Sequence, residues 1–348
     1  MANKEVKVLG ITEFSRFNCD CYEEQACECK DCTECECYDP NPDFEKIADR
    51  LQEMLQEHGY QVDVRYHRIW KNNTHMDGFE IRQSECSVAP TIYWGNDDSI
   101  QDVAKRAMND LDAGVPEIDA VGMLNPDFIK ANVYPRLYEG NEDNLVNLSK
   151  SEVPFDFLEF SENQFGVSLI YTLYILIEDS QIGVGSIQVN KNIMRYANMS
   201  WDELSKIAIS NMIPQIKLRT MKDTMRDMLG IPFDDDDDLP FPIPSVDNDM
   251  WVLTNTWNMY GSAMIVSKEI LQYVCDHTGY SEYYIVPSSV HEVLIIPVDG
   301  MDAKDLRDMN AEVNASQVSD IDRLTDGLFY YSKLNGFLRI NGSNPLVQ

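Results

Sequence analysis

The chain has 348 residues, with 59 Asp and Glu against 28 Lys and Arg, which gives a net charge of −31. A surface this acidic argues against binding to nucleic-acid backbones or to an anionic membrane, because both need basic side chains. Hydrophobic residues make up 44% of the chain, which excludes wholesale disorder, and the length exceeds that of one typical domain.

The first predicted region, residues 1–40, is dominated by cysteine. The segment CDCYEEQACECKDCTECEC holds seven of the nine cysteines: Cys19, Cys21, Cys27, Cys29, Cys32, Cys35 and Cys37. A C-x2-C pair can place two thiolates on one tetrahedral ion, and C-x-C pairs are common where thiolates bridge two ions. Thiolates are soft ligands, so the spacing predicts zinc or copper(I) at these cysteines. The alternative is a flexible acidic appendage without metal, since almost nothing apolar accompanies them.

The compartment is predicted from two further patterns. The opening MANKEVKVLGITEF has no apolar stretch of signal-peptide length. The longest apolar run, residues 167–177, is about half of what a bilayer span requires. We therefore expect a cytoplasmic protein without membrane association, in a reducing compartment that disfavours disulfides.

A regular unit is predicted over residues 41–114, beginning with a helix. Asn41 suits the N-cap and Pro42 the first helical position. Apolar residues then recur at spacings of three and four, as in an amphipathic helix, until Gly59 ends it.

Three strands and a second helix follow in this unit. Alternation over 62–67 predicts the first strand, Asp77-Gly78 predicts a hairpin turn, and 88–94 predicts a third strand. Ser99 begins a capping box that starts the second helix. The order helix, three strands, helix favours an antiparallel sheet with helices packed on one face.

Residues 115–150 are mixed and polar, and they are interpreted as a connector with short helical pieces. A second unit is predicted over 151–340, where the apolar stretches FLEF and VSLIYTLYILI favour strands. Further strands are predicted at 250–255, 263–266, 283–287 and 290–297, with amphipathic segments at 200–208, 216–229 and 268–277. Prolines and five consecutive aspartates make 231–249 a loop. The predicted fold class is α+β, with antiparallel sheets in two compact units.

The sequence contains no phosphate loop, no H-E-x-x-H and no G-x-S-x-G motif. One polar cluster, PSSVHEV, separates two apolar stretches. Its Ser288, Ser289, His291 and Glu292 could supply a nucleophile and a base. Neighbouring residues of an extended chain point to opposite faces, so a working pair needs help from elsewhere in the fold. The alternative is a hairpin turn whose side chains bond to local backbone groups.

A family resemblance rests on strings found in this order: LQEMLQEHGYQVDVRYHRIWKNN, DGFEIR, VAPTIYW, VYPRL, SIQVNKNIMRYANMSWDEL, IPQ, VLTN, YIVPSSVHEVLIIP and EVNASQV. Together they resemble an uncharacterised bacterial family of unknown function, seen mainly in Gram-positive genomes and mobile elements and distantly similar to the YtpQ-like family. The resemblance covers roughly residues 44–332, and the cysteine-rich segment departs from it. It implies an α+β fold and no established activity. It adds Asn255 and Pro287 to the polar cluster as positions of interest.

Three functions remain open from the sequence. The leading hypothesis is a non-enzymatic protein-binding or adaptor module that presents an acidic surface to a protein partner. The first alternative is a hydrolase-like enzyme with a site around Ser288, Ser289, His291 and Glu292. The second is an acidic decoy, in which carboxylates imitate a phosphate backbone and occupy a nucleic-acid-binding protein.

Overall fold

The computed structural model describes residues 43–83, 89–95, 97–114, 125–158, 169–179, 183–229, 250–287, 289–298 and 302–340. The chain divides into two compact units, and the described residues from 43 to 114 lie in the first. Residues 125–178 and 184–340 belong to the second. Helices occur with antiparallel sheets in both units, which confirms the predicted α+β class. Within these ranges, no helix has the length and apolar character needed to cross a membrane.

In its described residues, the first unit has two helices and one three-stranded sheet. Its elements are α1 (Phe44–Glu57), β1 (Val62–Lys71), β2 (Thr74–Gln83), β3 (Thr91–Tyr93) and α2 (Ile100–Ala113). Asp43 is the N-cap of α1, and its carboxylate accepts from the Lys46 N–H at 3.3 Å. The helix therefore starts two residues later than predicted from Asn41, which lies outside the described residues. The capping box at Ser99 is confirmed.

The helices of this unit cover one face of the antiparallel β1-β2-β3 sheet. The buried residues that pack together are Ala48, Leu51, Leu55, Val62, Val64, Phe79, Ile81, Ile92, Val103, Ala104, Ala107 and Leu111. Alternate residues of β1, such as Asp63, Arg65 and His67, are exposed instead. Alternation along β1 therefore decides which face receives the helices.

The predicted hairpin turn at Asp77-Gly78 is wrong. The chain turns at Asn72-Asn73, where Asn73 has a φ of 60°. Asparagine tolerates this left-handed conformation, so the pair is a turn signal as well. Gly78 lies inside β2, where an added Cβ would approach the Tyr93 ring to 3.2 Å. The glycine is explained by close side-chain packing within the sheet.

The elements from Pro126 onward are α3 (Pro126–Asn132), β4 (Val133–Glu139), α4 (Glu142–Lys150), β5 (Asp156–Leu158), β6 (Leu169–Asp179), β7 (Gly183–Gln188), α5 (Lys191–Ala197), α6 (Trp201–Met212), β8 (Ile216–Thr220), α7 (Met221–Leu229), β9 (Trp251–Asn255), α8 (Lys268–Thr278), β10 (Glu282–Val286), β11 (Val293–Pro297), α9 (Ala303–Ser316), β12 (Leu328–Ser332) and β13 (Gly336–Ile340). Among the described residues, 3₁₀ turns lie at Ile213–Gln215 and Gly261–Val266.

The structure differs from the predicted connector over 115–150. Residues 133–139 form β4, which pairs antiparallel with the whole first half of β6. The central strand β6 also pairs with β5 and β7. Pro135 made a strand difficult to predict here from the sequence. Among the described strands, however, β4 pairs only with β6 and so lies at the edge of its sheet. Proline is tolerated at such an edge. Residues 115–124 lie outside the described part of the chain.

The last six described strands form one antiparallel sheet in the order β13-β12-β10-β11-β9-β8. Both faces of this sheet are buried. Tyr283 and Ile285 of β10 join the core that contains α8, whereas Tyr284 and Val286 join a second cluster with residues of α9. A strand buried on both faces reads as a continuous apolar run, as EYYIV does. The prediction that helices pack on one face therefore holds for the three-stranded sheet but not for the six-stranded sheet.

Two local predictions are wrong in this unit. The amphipathic segment at 216–229 is a strand, β8, followed by a helix, α7. Residues 263–266 lie in the 3₁₀ turn and not in a strand. The Ser262 hydroxyl of this turn donates to the Val290 carbonyl at 2.8 Å, which holds the turn against the chain before β11. Short apolar runs such as AMIV do not distinguish a strand from a helical turn.

The largest core of the second unit takes residues from both sheets. Leu137 of β4 and Leu173 of β6 belong to the same cluster as Leu253 of β9 and Ile295 of β11. This shared core brings β4 beside the loop that precedes the 3₁₀ turn at Gly261–Val266. Polar side chains of both sheets meet there.

Candidate functional site

The predicted polar cluster lies in the connection between β10 and β11. Its backbone is anchored to residues 322 and 323: Val290 N–H donates to the Asp322 carbonyl at 2.7 Å, and Ser289 forms an isolated β-bridge with Arg323. Pro287 directly follows β10. Ser288 lies outside the described residues, so the prediction made for it stays a prediction. The connection is a hairpin turn, and its backbone is fixed by a distant loop.

Ser289 is 7% exposed, and its side chain is occupied locally. The His291 N–H donates to Ser289 Oγ at 2.9 Å. The same hydroxyl lies within hydrogen-bonding reach of the Glu292 carboxylate. Ser289 is therefore bonded to its own turn, and the structure gives it no bond to the imidazole of His291.

Both nitrogens of the His291 ring have partners. Nε2 lies 3.1 Å from Asp322 Oδ1, and the Tyr260 N–H donates to Nδ1 at 3.4 Å. Since Nδ1 accepts a hydrogen bond, the proton of the neutral ring sits on Nε2 and points at the carboxylate. The ring also stacks on Tyr260, with centroids 5.8 Å apart. The imidazole is thus held in one orientation and one tautomer.

Asp322 is an ionised acceptor in this arrangement. Its Oδ2 accepts from the Ser319 hydroxyl at 2.7 Å. Burial alone would raise the pKa of Asp322, but the hydrogen bonds from His291 and Ser319, with the positive charge of Arg136, hold the pKa below its ordinary value. The carboxylate keeps its charge.

Glu292 behaves in the opposite way. Burial raises the pKa of Glu292 above its ordinary value, and the negative charge of Asp322 adds to the rise. The electrostatic interaction with His291 and the hydrogen bond with Ser289 oppose it. Glu292 follows His291 in the chain, and Asp322 contacts its ring. The shifts in their pKa values favour the protonated form of Glu292 and the ionised form of Asp322.

Tyr260 reaches the site from a strained loop. It has a φ of 56°, a conformation that bulky side chains rarely adopt. Asn255 holds the loop: its Nδ2 donates to the Met259 carbonyl at 2.7 Å, and its Oδ1 accepts from the N–H groups of Trp257 and Met259. Gly261 follows, and an added Cβ there would lie 2.6 Å from the His291 carbonyl oxygen. Hydrogen bonds before Tyr260 and close packing after it therefore hold the loop in this strained conformation.

Arg136 of β4 completes the arrangement. Its Cζ lies 4.3 Å from the ring centroid of Tyr138 and 4.0 Å from that of Tyr260. Its Nε is buried and has no hydrogen-bond partner among the residues that the structure describes. We call the six residues Arg136, Tyr260, Ser289, His291, Glu292 and Asp322 the polar centre. It is open to solvent, since the side chains of His291 and Asp322 are 25% and 39% exposed.

The structure brings together three predicted residues, Ser289, His291 and Glu292, and places Asn255 at the end of β9, where its side chain bonds the loop that presents Tyr260. Sequence reasoning missed Arg136, Tyr260 and Asp322. Arg136 lies in VYPRL, one of the strings that carried the family resemblance, so that string was a usable signal. Asp322 stands in a polar tail segment with several carboxylates, and nothing local distinguishes it from them.

The predicted metal site cannot be compared with the structure, because all seven of its cysteines lie outside the described residues. Within the described ranges, no three His, Cys, Asp or Glu side chains converge as metal ligands. The zinc or copper(I) prediction concerns residues 19–37 and is unaffected.

One family model matches the chain, over residues 43–333, and its description is a family of unknown function, DUF5688. No curated protein matches the chain, and no solved structure matches it. The matched range contains every residue of the polar centre and leaves out the cysteine-rich segment.

Proposed function

Since the family model covers most of its length, the chain belongs to the DUF5688 family, whose function is unknown, and we propose that it is a non-enzymatic, cytoplasmic protein-binding module. The polar centre is its recognition site. The Gram-positive source and the distant YtpQ-like similarity expected from the sequence remain part of this proposal.

The observation that carries the proposal is the bonding of the His291 ring. Its Nε2 faces Asp322 and its Nδ1 faces the Tyr260 N–H. A serine nucleophile needs a base within hydrogen-bond reach, and Ser289 is bonded instead to the His291 N–H. The described part of the centre therefore holds no serine–histidine pair, while the guanidinium group of Arg136 contacts the rings of Tyr138 and Tyr260.

The test of binding is quantitative affinity purification after cross-linking in cells, with wild type, Arg136→Met and Arg68→Met compared. Arg68 is an exposed arginine of β1, so it controls for the loss of one positive charge. We expect a protein partner whose recovery falls about tenfold with Arg136→Met and is unchanged with Arg68→Met. Equal recovery of every partner by all three proteins would contradict the proposal. A partner displaced by DNA would indicate the acidic decoy instead.

A hydrolase-like enzyme remains the second candidate, because His291 and Asp322 form the fixed imidazole–carboxylate pair that a general base requires. Labelling with a fluorophosphonate probe separates the two candidates. The binding proposal predicts no label on wild type above that on Ser289→Ala or Ser288→Ala. A label that is lost in either variant and in His291→Asn would establish the enzyme.

The cysteine-rich segment carries a separate proposal, namely that Cys19–Cys37 hold zinc or copper(I). Its basis is thiolate spacing, with C-x2-C and C-x-C pairs in an acidic surrounding. Native mass spectrometry of full-length protein purified without oxygen should show two or more bound ions. A variant with all seven cysteines replaced by serine should lose them. Wild-type protein that is free of metal would contradict this proposal.

A further inference from the structure

Arg136 is unusual among the described arginines of this acidic chain. Nine of them have a carboxylate oxygen within 4.0 Å: Arg50, Arg65, Arg68, Arg82, Arg106, Arg195, Arg219, Arg307 and Arg323. Arg136 has no described carboxylate at that distance. With 59 acidic residues in the chain, a carboxylate partner would be easy to supply. The fold instead supplies two aromatic rings.

The two rings cover the faces of the guanidinium group and leave its edges. A guanidinium is planar and all five of its N–H groups lie in the plane, so stacking on Tyr138 and Tyr260 consumes none of them. Cation–π contacts stabilise the positive charge without neutralising it. What remains at the edge is a planar fork of donors.

The group is also held in a fixed position. The Arg136 backbone pairs with Thr172, whose hydroxyl donates to the Arg136 carbonyl at 3.3 Å. Tyr138 is fixed by its hydroxyl, which donates to Gln188 Oε1 at 2.8 Å. Tyr260 packs edge-on against Tyr174, with centroids 5.0 Å apart. Preorganised donors lose little conformational entropy on binding.

One donor of this fork lacks an acceptor. Nε of Arg136 is buried, and no atom in the described part of the chain accepts a hydrogen bond from it. A buried donor without a partner costs roughly 1–3 kcal/mol, so native structures rarely keep one without a reason. Arg136 as a whole is only half-buried, so an acceptor from outside the chain would meet its terminal N–H groups rather than Nε.

The acidic groups around Arg136 do not take this place. The Asp322 carboxylate is engaged by His291 and Ser319. Glu139 lies 3.7 Å from Arg323, and burial raises its pKa. Burial raises the pKa of Glu292 in the same way. Asp322 is therefore already hydrogen-bonded, and burial favours the neutral form of Glu139 and Glu292.

We infer that Arg136 binds an oxyanion, a carboxylate or a phosphate group, through the N–H edge left open between Tyr138 and Tyr260. A fork of parallel donors matches the two oxygens of either group. The inference deepens the proposed binding function, because it names the chemistry by which the polar centre would recognise its partner.

The test is a titration of the full-length protein with sodium succinate and, separately, with inorganic phosphate at constant ionic strength. The readout is the side-chain Nε–Hε resonance of Arg136, identified by its absence in Arg136→Lys. We expect this resonance to shift and saturate with at least one anion. The better ligand of the two indicates the source, a carboxylate or a phosphate.

Calorimetry on matched variants completes the test. Lysine keeps the charge but not the fork, so Arg136→Lys should bind about tenfold more weakly or worse. Arg68→Lys, at an exposed arginine of β1, should bind as wild type does. An Arg136 resonance that moves with neither anion, or unchanged affinity in Arg136→Lys, would overturn the inference. Because the wild-type resonance decides alone, poor folding of a variant does not obscure the result.

The two proposals fail separately. A saturating shift of the Arg136 resonance, together with partner recovery that Arg136→Met does not change, would contradict the protein-binding proposal and support the oxyanion site. Loss of a partner in Arg136→Met without any anion response would do the reverse.

Discussion

Glu292 and Asp322 both interact with His291, and the pKa values of their carboxyl groups shift in opposite directions. Asp322 contributes stability that is present above its ordinary pKa and is lost as the pH falls through its lowered value. Glu292, whose pKa is raised, contributes stability that is present below about 4.5 and is lost as the pH rises. Near neutral pH, the ionised form of Asp322 therefore stabilises the folded state, whereas ionisation of Glu292 destabilises it.

This opposition predicts the behaviour of Glu292→Gln. The amide is neutral at every pH, so the variant should be more stable than wild type at pH 7 and equal to it at pH 4. Urea denaturation at both values measures the difference in unfolding free energy. Glu312→Gln, at an exposed position of α9, is the matched control and should change neither value. Destabilisation of Glu292→Gln at pH 7 would mean that the ionised carboxylate is stabilised by His291.

At the scale of elements, the loop between β9 and the 3₁₀ turn positions Tyr260. Asn255 is 5% exposed and makes three hydrogen bonds to this loop. Asn255→Ala should lower the unfolding free energy by about 2 kcal/mol, because the freed backbone groups are left without partners. It should also weaken any anion binding at Arg136, since Tyr260 loses its support.

Chemical denaturation and the succinate titration check this prediction. Asn147→Ala removes one exposed amide contact on α4 and serves as the control, with an expected change below about 0.5 kcal/mol. An equal effect of both substitutions would contradict the role given to Asn255.

Sequence reasoning succeeded where one residue carries its own local signal. Ser99 caps α2, as its spacing to Asp102 predicted, and β6 is a strand, as its aromatic and β-branched run predicted. It failed where partners distant in the chain decide the outcome. Gly78 serves packing against Tyr93, and β4 is a strand because β6 lies beside it.

The same division explains the site. Ser289, His291 and Glu292 are neighbours in the chain and stood out as a polar string between apolar strands. Arg136 and Asp322 join them only through the shared core of two sheets. Their separation from His291 is 155 and 31 residues in the numbering of the chain, so no local pattern links them.

At the scale of the whole molecule, the net charge of −31 sets the response to salt. The ion pairs of the structure are mostly exposed, and such pairs contribute about 0–1 kcal/mol each. Repulsion between the excess carboxylates acts against the compact state, and salt screens it. Raising NaCl from about 10 to about 300 mM should therefore raise the thermal midpoint by a few degrees.

Calorimetric scans at both salt concentrations measure this effect. Replacing Asp234–Asp238 by asparagine removes five negative charges, so the salt-dependent rise should become smaller. A midpoint that falls with added salt would show that attractive ion pairs outweigh the repulsion.

The close approach at Gly261 has a consequence for how this family can diverge. Any side chain at this position meets Thr254 of β9 and two backbone atoms, the His291 carbonyl oxygen and the Asn255 nitrogen. Backbone atoms cannot be exchanged by substitution, so no single compensating change elsewhere makes room. We expect descendants of this chain to keep Gly261. A change there would require the end of β9, the loop that follows it and the hairpin turn at His291 to change together.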